Sequence, residues 1–274
     1  MNDKEFTQPI ESVNPYVIAA RLVGGRILWD VRPESWRSRR QLRRLKDKHA
    51  GRKAVVLCNG PSLLKTDFAR LQSSGAFVFG LNKINLLFDR TTLRPDAIVA
   101  VNSYVIEQNR DFFDSTDIPL FLDSRATAQV RSRDGVTFLH AANIRRFARD
   151  CSTSVVQGHT VTYVALQLAY HFGFAQVGLV GCDHNFAEKG PANKTVNADA
   201  TDASHFDPRY FANGVKWQLP DLLQSEVHYL LAREAFESTG RLLANCTIGG
   251  KLEVFQRMDL EEFLRLPVAS PAAR

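Results

Sequence analysis

The sequence predicts an α/β fold: a mostly parallel sheet with helices on both faces and a long lid loop across one edge. Three observations predict it. From Lys53 onward, apolar runs of four to six residues alternate with stretches of helical periodicity, the pattern of parallel strands joined by crossovers. Three successive runs each finish in an asparagine, Asn59, Asn82 and Asn102. A chain of 274 residues with 45% hydrophobic and 23% charged residues can bury one large core, and its 16 Gly and 11 Pro are too scattered for a fibrous or disordered chain.

Residues 1–52 read as an N-terminal lead-in, residues 53–266 as the α/β domain and residues 267–274 as a tail without chemistry. The start MNDKEFTQPIE has no basic segment followed by an apolar one, so no secretory signal is expected and the expected location is the cytoplasm. The apolar stretch at 16–29 is broken by Arg21, Gly24, Gly25 and Arg26, which predicts no membrane span. Residues 35–48 read as a basic helix with Trp36, Leu42 and Leu45 as sparse apolar contacts. Such a helix is a solvated lead-in, a contact for an acidic partner, or a surface for anionic lipid at the inner membrane face.

That helix also explains the charge. The net charge is +6, but residues 32–53 hold ten Lys and Arg against Glu34 and Asp47, a local +8 that leaves the rest at −2. Counterion-release binding along a nucleic acid calls for a basic face on the site domain, which this distribution denies, so nucleic acid is excluded as a partner.

Strands are expected at 54–58, 77–80, 97–101, 120–122, 137–140 and 177–181. A helix is expected over 62–71 behind Pro61, a second over 160–172 ended by Gly173, and a third over 221–239 behind Pro220. Residues 242–246 and 252–255 flank Ile248-Gly249-Gly250 and predict a hairpin. Cys58, Cys151, Cys182 and Cys246 lack metal or redox spacing and read as core residues.

The strand ends carry the functional signal. In an open parallel sheet the carboxyl ends of the strands share one crevice, so Asn59, Asn82 and Asn102 are expected to converge there. Asn offers donor and acceptor together, which suits a nucleotide's ribose, base edge and phosphate; a lone Asn after a strand is otherwise a turn residue. The turn Cys58-Asn59-Gly60-Pro61-Ser62 leads into a helix start that can meet an anion, with Gly60 and Ser62 as candidates, and it is neither a P-loop nor a dinucleotide fingerprint. The strand at 177–181 ends in Asp183-His184-Asn185, whose carboxylate could take ribose hydroxyls or a metal. The polar, aromatic-spaced stretch at 187–219 reads as a lid. Within it His205 is the candidate general base, and Trp217 is either a sugar-stacking or a core residue.

NGPSL at 59–63, the strand-end Asn82 and Asn102, the helix from Thr160 into GFAQVGLVGCD at 173–183, and SHF at 204–206 resemble the bacterial sialyltransferases of glycosyltransferase family 42. They also resemble the related MptE-like superfamily, which includes motility-associated flagellin glycosyltransferases and archaeal 6-hydroxymethylpterin diphosphokinases. The resemblance spans residues 53–255. It implies a modified Rossmann-type, glycosyltransferase A-like domain that moves a sialic-acid-like sugar from a CMP-linked donor to a glycan acceptor, inverting and without a metal.

The resemblance further implies that Asn59, Asn82 and Asn102 contact the CMP donor, that the helix start at Thr160 and Val161 meets the phosphate, and that Asp183 meets ribose or cytidine. There are departures. Asn185 stands where the family places the first of its hydroxyl-bearing residues, Arg209 where it places its catalytic histidine, and Val161 where it places a serine. His205, Arg209 and Tyr210 therefore compete for the chemistry at the lid.

Two other readings stay open. One is a Mg²⁺-dependent pterin diphosphokinase using Asp183, Asp199, Asp202 and Asp207. The other is a non-catalytic nucleotide-binding protein of an envelope pathway. Donor sugar, acceptor and self-association are not fixed by the sequence.

Overall fold

The computed structural model describes residues 14–142, 144–186, 190–198, 201–212 and 214–268. Strands β1 (Lys53–Leu57), β2 (Phe77–Leu81), β3 (Ala97–Ala100), β4 (Leu120–Asp123), β5 (Val136–Leu139), β6 (Gln176–Val180), β9 (Leu242–Asn245) and β10 (Gln256–Arg257) form one sheet, ordered β10-β9-β6-β1-β2-β3-β4-β5. Every neighbouring pair in it is parallel. Two short strands, β7 (Thr195–Asn197) and β8 (Lys216–Gln218), pair antiparallel inside the expected lid.

Side-chain alternation splits the core in two. Ala54, Val56 and Cys58 of β1 and its extension face α6 (Val161–His171) and α7 (Leu222–Glu237). Val55 and Leu57 face α3 (Phe68–Ser73), α4 (Ser103–Gln108), α5 (Arg110–Ser115) and α8 (Leu260–Arg265). α6 is apolar almost all round and buried from Thr162 to His171, as a helix sealed between a sheet and another helix must be. Gly173 ends it with φ +90°, where a Cβ would meet the Asp47 backbone at 2.9 Å.

Five expectations are corrected. The helix foreseen over 62–71 is a short 3₁₀ turn, Pro61–Lys65, followed by α3, because Asp67 caps the second piece by accepting the Arg70 N–H at 2.9 Å. The hairpin foreseen around Gly249 is absent: β10 returns parallel to β9. Asn245 holds that crossover, its amide donating to the Leu252 carbonyl and its Oδ1 accepting the Thr247 N–H.

The basic helix runs from Pro33 to Leu45 (α2) rather than to 48, and the first helix, α1, spans Pro15–Asp30. α2 is no loose lead-in. It buries Ser35, Ser38 and Leu42, and the Ser38 hydroxyl accepts the Phe138 N–H of β5 at 2.9 Å, so small polar residues do the packing that apolar periodicity looks for. Trp36, taken as one of its apolar contacts, is instead 64% exposed.

Candidate functional site

Strand order reverses between β1 and β6: the two strands stay hydrogen-bonded to their carboxyl ends, where Gly60 N–H donates to the Gly181 carbonyl at 2.9 Å, and the chain segments that leave them frame a crevice at this switch point. A cleft of about 1370 Å³ occupies that edge. Asn59, Gly60, Asn82, Asn102, Thr160, Asp183, Asn185, His205 and Tyr210 all line it. The convergence expected of the strand ends is therefore real, although the residues do different work.

Asn59 and Asn82 each hold a buried side-chain oxygen with no hydrogen-bond partner among the described residues. A buried acceptor left unpaired is costly, so these two atoms are available to an N–H or O–H donor. Asn82 sits at φ +50°, which turns the chain sharply out of β2. Asn102 differs: its Oδ1 accepts the Tyr104 and Val105 N–H groups as the N-cap of α4, so its carbonyl is spent on the fold.

Ser62 does not line the cleft. Its hydroxyl and N–H instead donate to Asp183 Oδ2 at 2.7 and 3.2 Å and fix that carboxylate at the switch point. Gly60 makes this approach possible, because a Cβ there would stand 2.0 Å from Asp183 Oδ2 and 2.7 Å from the Gly181 carbonyl. Thr160 caps α6 through its hydroxyl, and Gly158 and His159 before it take left-handed φ values of +59° and +62°. The start of α6 thus borders the cleft with the positive end of its dipole, while its Thr160, Thr162 and Tyr163 N–H groups are held by the Gln157 carbonyl, Thr160 Oγ1 and the Thr160 carbonyl.

The lid residues pack down as a small aromatic core. The Phe206 N–H donates to the Asn59 carbonyl at 2.9 Å, tying the lid to the end of β1. His205 lies flat on Tyr210, with centroids 4.0 Å apart and planes 2° from parallel, and Trp217 stacks on Phe211. Trp217 is buried, so the packing alternative foreseen for it holds, while one edge of it still borders the cleft. Lys83 Nζ, buried beneath, donates to the Tyr210 carbonyl at 2.6 Å and to Gln108 Oε1 at 2.7 Å. Burial lowers the Lys83 pKa to about 8, against an opposing pull from Asp202. Burial pushes the Tyr210 phenol up, so at neutral pH it is a protonated donor beside Asn82.

One charge arrangement stands out. His205 Nδ1 lies 2.7 Å from Asp202 Oδ2. Burial works against that carboxylate, but hydrogen bonds from His205 and from the Ser204 and Phe211 N–H groups outweigh it and hold its pKa below the usual range. A carboxylate on Nδ1 fixes the tautomer with the proton there and leaves Nε2 as the acceptor, the state a general base requires. The spacing Asp-x-x-His at 202–205 is the local signal for this pair, whose carboxylate is expected above only as one of four Mg²⁺ ligands. A second pair, His184 Nε2 with Glu226 Oε1 at 3.0 Å, was missed altogether.

Arg209 takes no part in the cleft. Its guanidinium forks onto Asp207 at 2.9 Å and reaches Asp89 on the exposed side, and the Asp207 pair raises its pKa further. The carboxylates foreseen for Mg²⁺ are likewise separately engaged: Asp183 by Ser62, Asp202 by His205, Asp207 by Arg209, while Asp199 lies outside the described residues. Among the described residues no three His, Cys, Asp or Glu side chains gather at metal-binding distance.

The profile of a family described as "6-hydroxymethylpterin diphosphokinase MptE-like" matches residues 34–189. The chain belongs to the MptE-like family. The match begins inside α2 and ends past Asn185, so the shared region takes in the basic helix as well as the residues from 53 on, and leaves the His205 lid outside. The MptE-like chain is also similar in structure to a Maf glycosyltransferase from Magnetospirillum magneticum AMB-1, with a TM-score of 0.51 and 15% identity. The superposition covers 86% of this chain and 39% of that one, and shows that the two share an α/β, Rossmann-like fold. No curated protein matches significantly.

Proposed function

We propose that this MptE-like chain is a glycosyltransferase that takes a sialic-acid-like sugar from a CMP-linked donor and passes it, with inversion and without a metal, to a glycan hydroxyl. The observation that carries the reading is the Asp202–His205 pair in the same cleft as the unpaired Asn59 and Asn82 oxygens. In it the nucleotide lies at the switch point, with its amino and hydroxyl donors on Asn59 and Asn82 and its ribose near Asp183. The phosphate faces the start of α6 and the positive end of its dipole. His205 Nε2 takes the proton of the acceptor hydroxyl as that oxygen bonds to the anomeric carbon. The bond from that carbon to the phosphate oxygen breaks, and CMP leaves with the electron pair. Tyr210, protonated and stacked under His205, holds the base in place.

The description of the matched family supports a second reading, diphosphate transfer from ATP to a pterin alcohol. A thermal-shift panel of CMP, CDP, UDP, GDP and ATP, with and without Mg²⁺, separates them. The transferase reading predicts the largest shift with CMP, unchanged by EDTA. A shift confined to ATP with Mg²⁺ overturns it.

A further inference from the structure

We propose that α1 and α2 together dock this protein on the surface of an anionic lipid bilayer. α1 buries only Trp29 among its 16 residues. One of its sides borders the cleft through Leu22, Gly25 and Leu28. Helical periodicity sets Tyr16, Ala20, Val23 and Ile27 on the opposite side at spacings of four, three and four, a continuous apolar stripe. Tyr16, Val23 and Ile27 are 84%, 58% and 56% exposed, so no described residue covers the stripe. A helix whose apolar side stays open while its polar contacts are made elsewhere is built to meet an apolar phase.

α2 follows after two residues, Val31 and Arg32, and supplies the complementary charge. Its side away from Ser35, Ser38 and Leu42 presents Arg37, Arg40 and Arg44, flanked by Arg43 and the exposed Trp36. Among the described residues none of these four arginines has a carboxylate partner, whereas Arg26 and Arg39 are both paired with Asp30. Of the four, only Arg37 is tied by a hydrogen bond among the described residues, to the Ser132 hydroxyl. Cations without carboxylate partners follow the apolar stripe in the chain with an amphipathic Trp among them, the ingredients that match a bilayer's acyl chains, interface and anionic headgroups. A purely solvated helix accounts for the arginines and leaves Tyr16, Val23 and Ile27 unexplained. Because the other side of α1 is a wall of the cleft, docking brings the cleft to the headgroup layer; on the transferase reading, the acceptor it then meets is lipid-linked.

The test is sedimentation of the full chain with vesicles of phosphatidylcholine, alone or mixed with phosphatidylglycerol, which requires no activity. The wild type is expected to bind the mixed vesicles roughly tenfold or more over the neutral ones, with binding that weakens as salt rises. Val23→Glu with Ile27→Glu, and separately Arg40→Ala with Arg43→Ala and Arg44→Ala, should each lower binding by roughly tenfold at unchanged circular dichroism. Absence of wild-type binding to the mixed vesicles overturns the proposal, as do two folded variants that bind like the wild type. So does a wild-type dimer that the glutamate variant splits while neither protein binds vesicles.

Discussion

Asp202 and His205, three residues apart, meet carboxylate to imidazole at 2.7 Å at the edge of a cleft that both arms of the sheet open onto. The short loop between them folds back on the Asp202 carboxylate, which also accepts the Ser204, His205 and Phe211 N–H groups. The base is therefore set by the lid's own backbone and docked on β1 through Phe206 and Asn59.

Asp202→Asn keeps the Ser204 and His205 N–H contacts on Oδ1, but with its amide nitrogen at the Oδ2 position it offers His205 Nδ1 a donor where it had an acceptor, and the Phe211 N–H gives up its partner. The proton moves to Nε2 and the base is lost, so turnover should fall by roughly 10² to 10⁴ with folding retained. The same substitution should flatten the acid limb of stability. A carboxylate whose folded pKa is depressed contributes stability above its unfolded value near 3.8, and loses it as pH falls through the lower folded value. Melting temperatures followed downward from pH 5 should drop less steeply in the variant than in the wild type.

Gly60→Ala tests the contact that builds the switch point. With 2.0 Å between a new Cβ and Asp183 Oδ2, either the carboxylate leaves Ser62 or the β1 turn shifts. A loss of about 1 to 3 kcal/mol in stability is expected, together with weakened nucleotide binding by calorimetry. Unchanged values for both would show that the turn yields freely.

Lys83→Met probes the latch under the lid. The folded pKa of Lys83, about 8, lies below its unfolded value near 10.5, so its charge carries a burial cost at neutral pH that is relieved as pH rises between those values. The stability of the wild type relative to Lys83→Met should therefore increase from pH 7.5 to pH 10 in thermal melts. A constant difference would place the amine in water.

The parallel sheet and the meeting of Asn59, Asn82 and Asp183 were legible because buried strands read as apolar runs and their ends punctuate them. What escaped was decided by tertiary partners. α2 looks too polar to pack, yet Ser38 docks it by one hydrogen bond to Phe138. Asn102 has the same local sequence signal as Asn59 and Asn82, but only its side chain finds a helix start to cap. Arg209 was drawn to the chemistry by its position in the family's motif, and Asp207, two residues away, holds it outside. Five of the seven histidines, His140, His159, His184, His205 and His228, border one cleft although 88 residues separate the first from the last. No local pattern announces that gathering. Glu226, unremarkable on α7, becomes the partner of His184 only through the fold.

The measurement that bears most directly on the central claim pairs turnover with binding in one variant. With a CMP-linked nonulosonic sugar and a glycan acceptor, wild type should release CMP. His205→Ala should lose roughly 10² to 10⁴ of that rate while binding CMP within a few-fold of wild type by calorimetry. Full turnover in His205→Ala, or a wild type that binds CMP and transfers no sugar, would contradict the account.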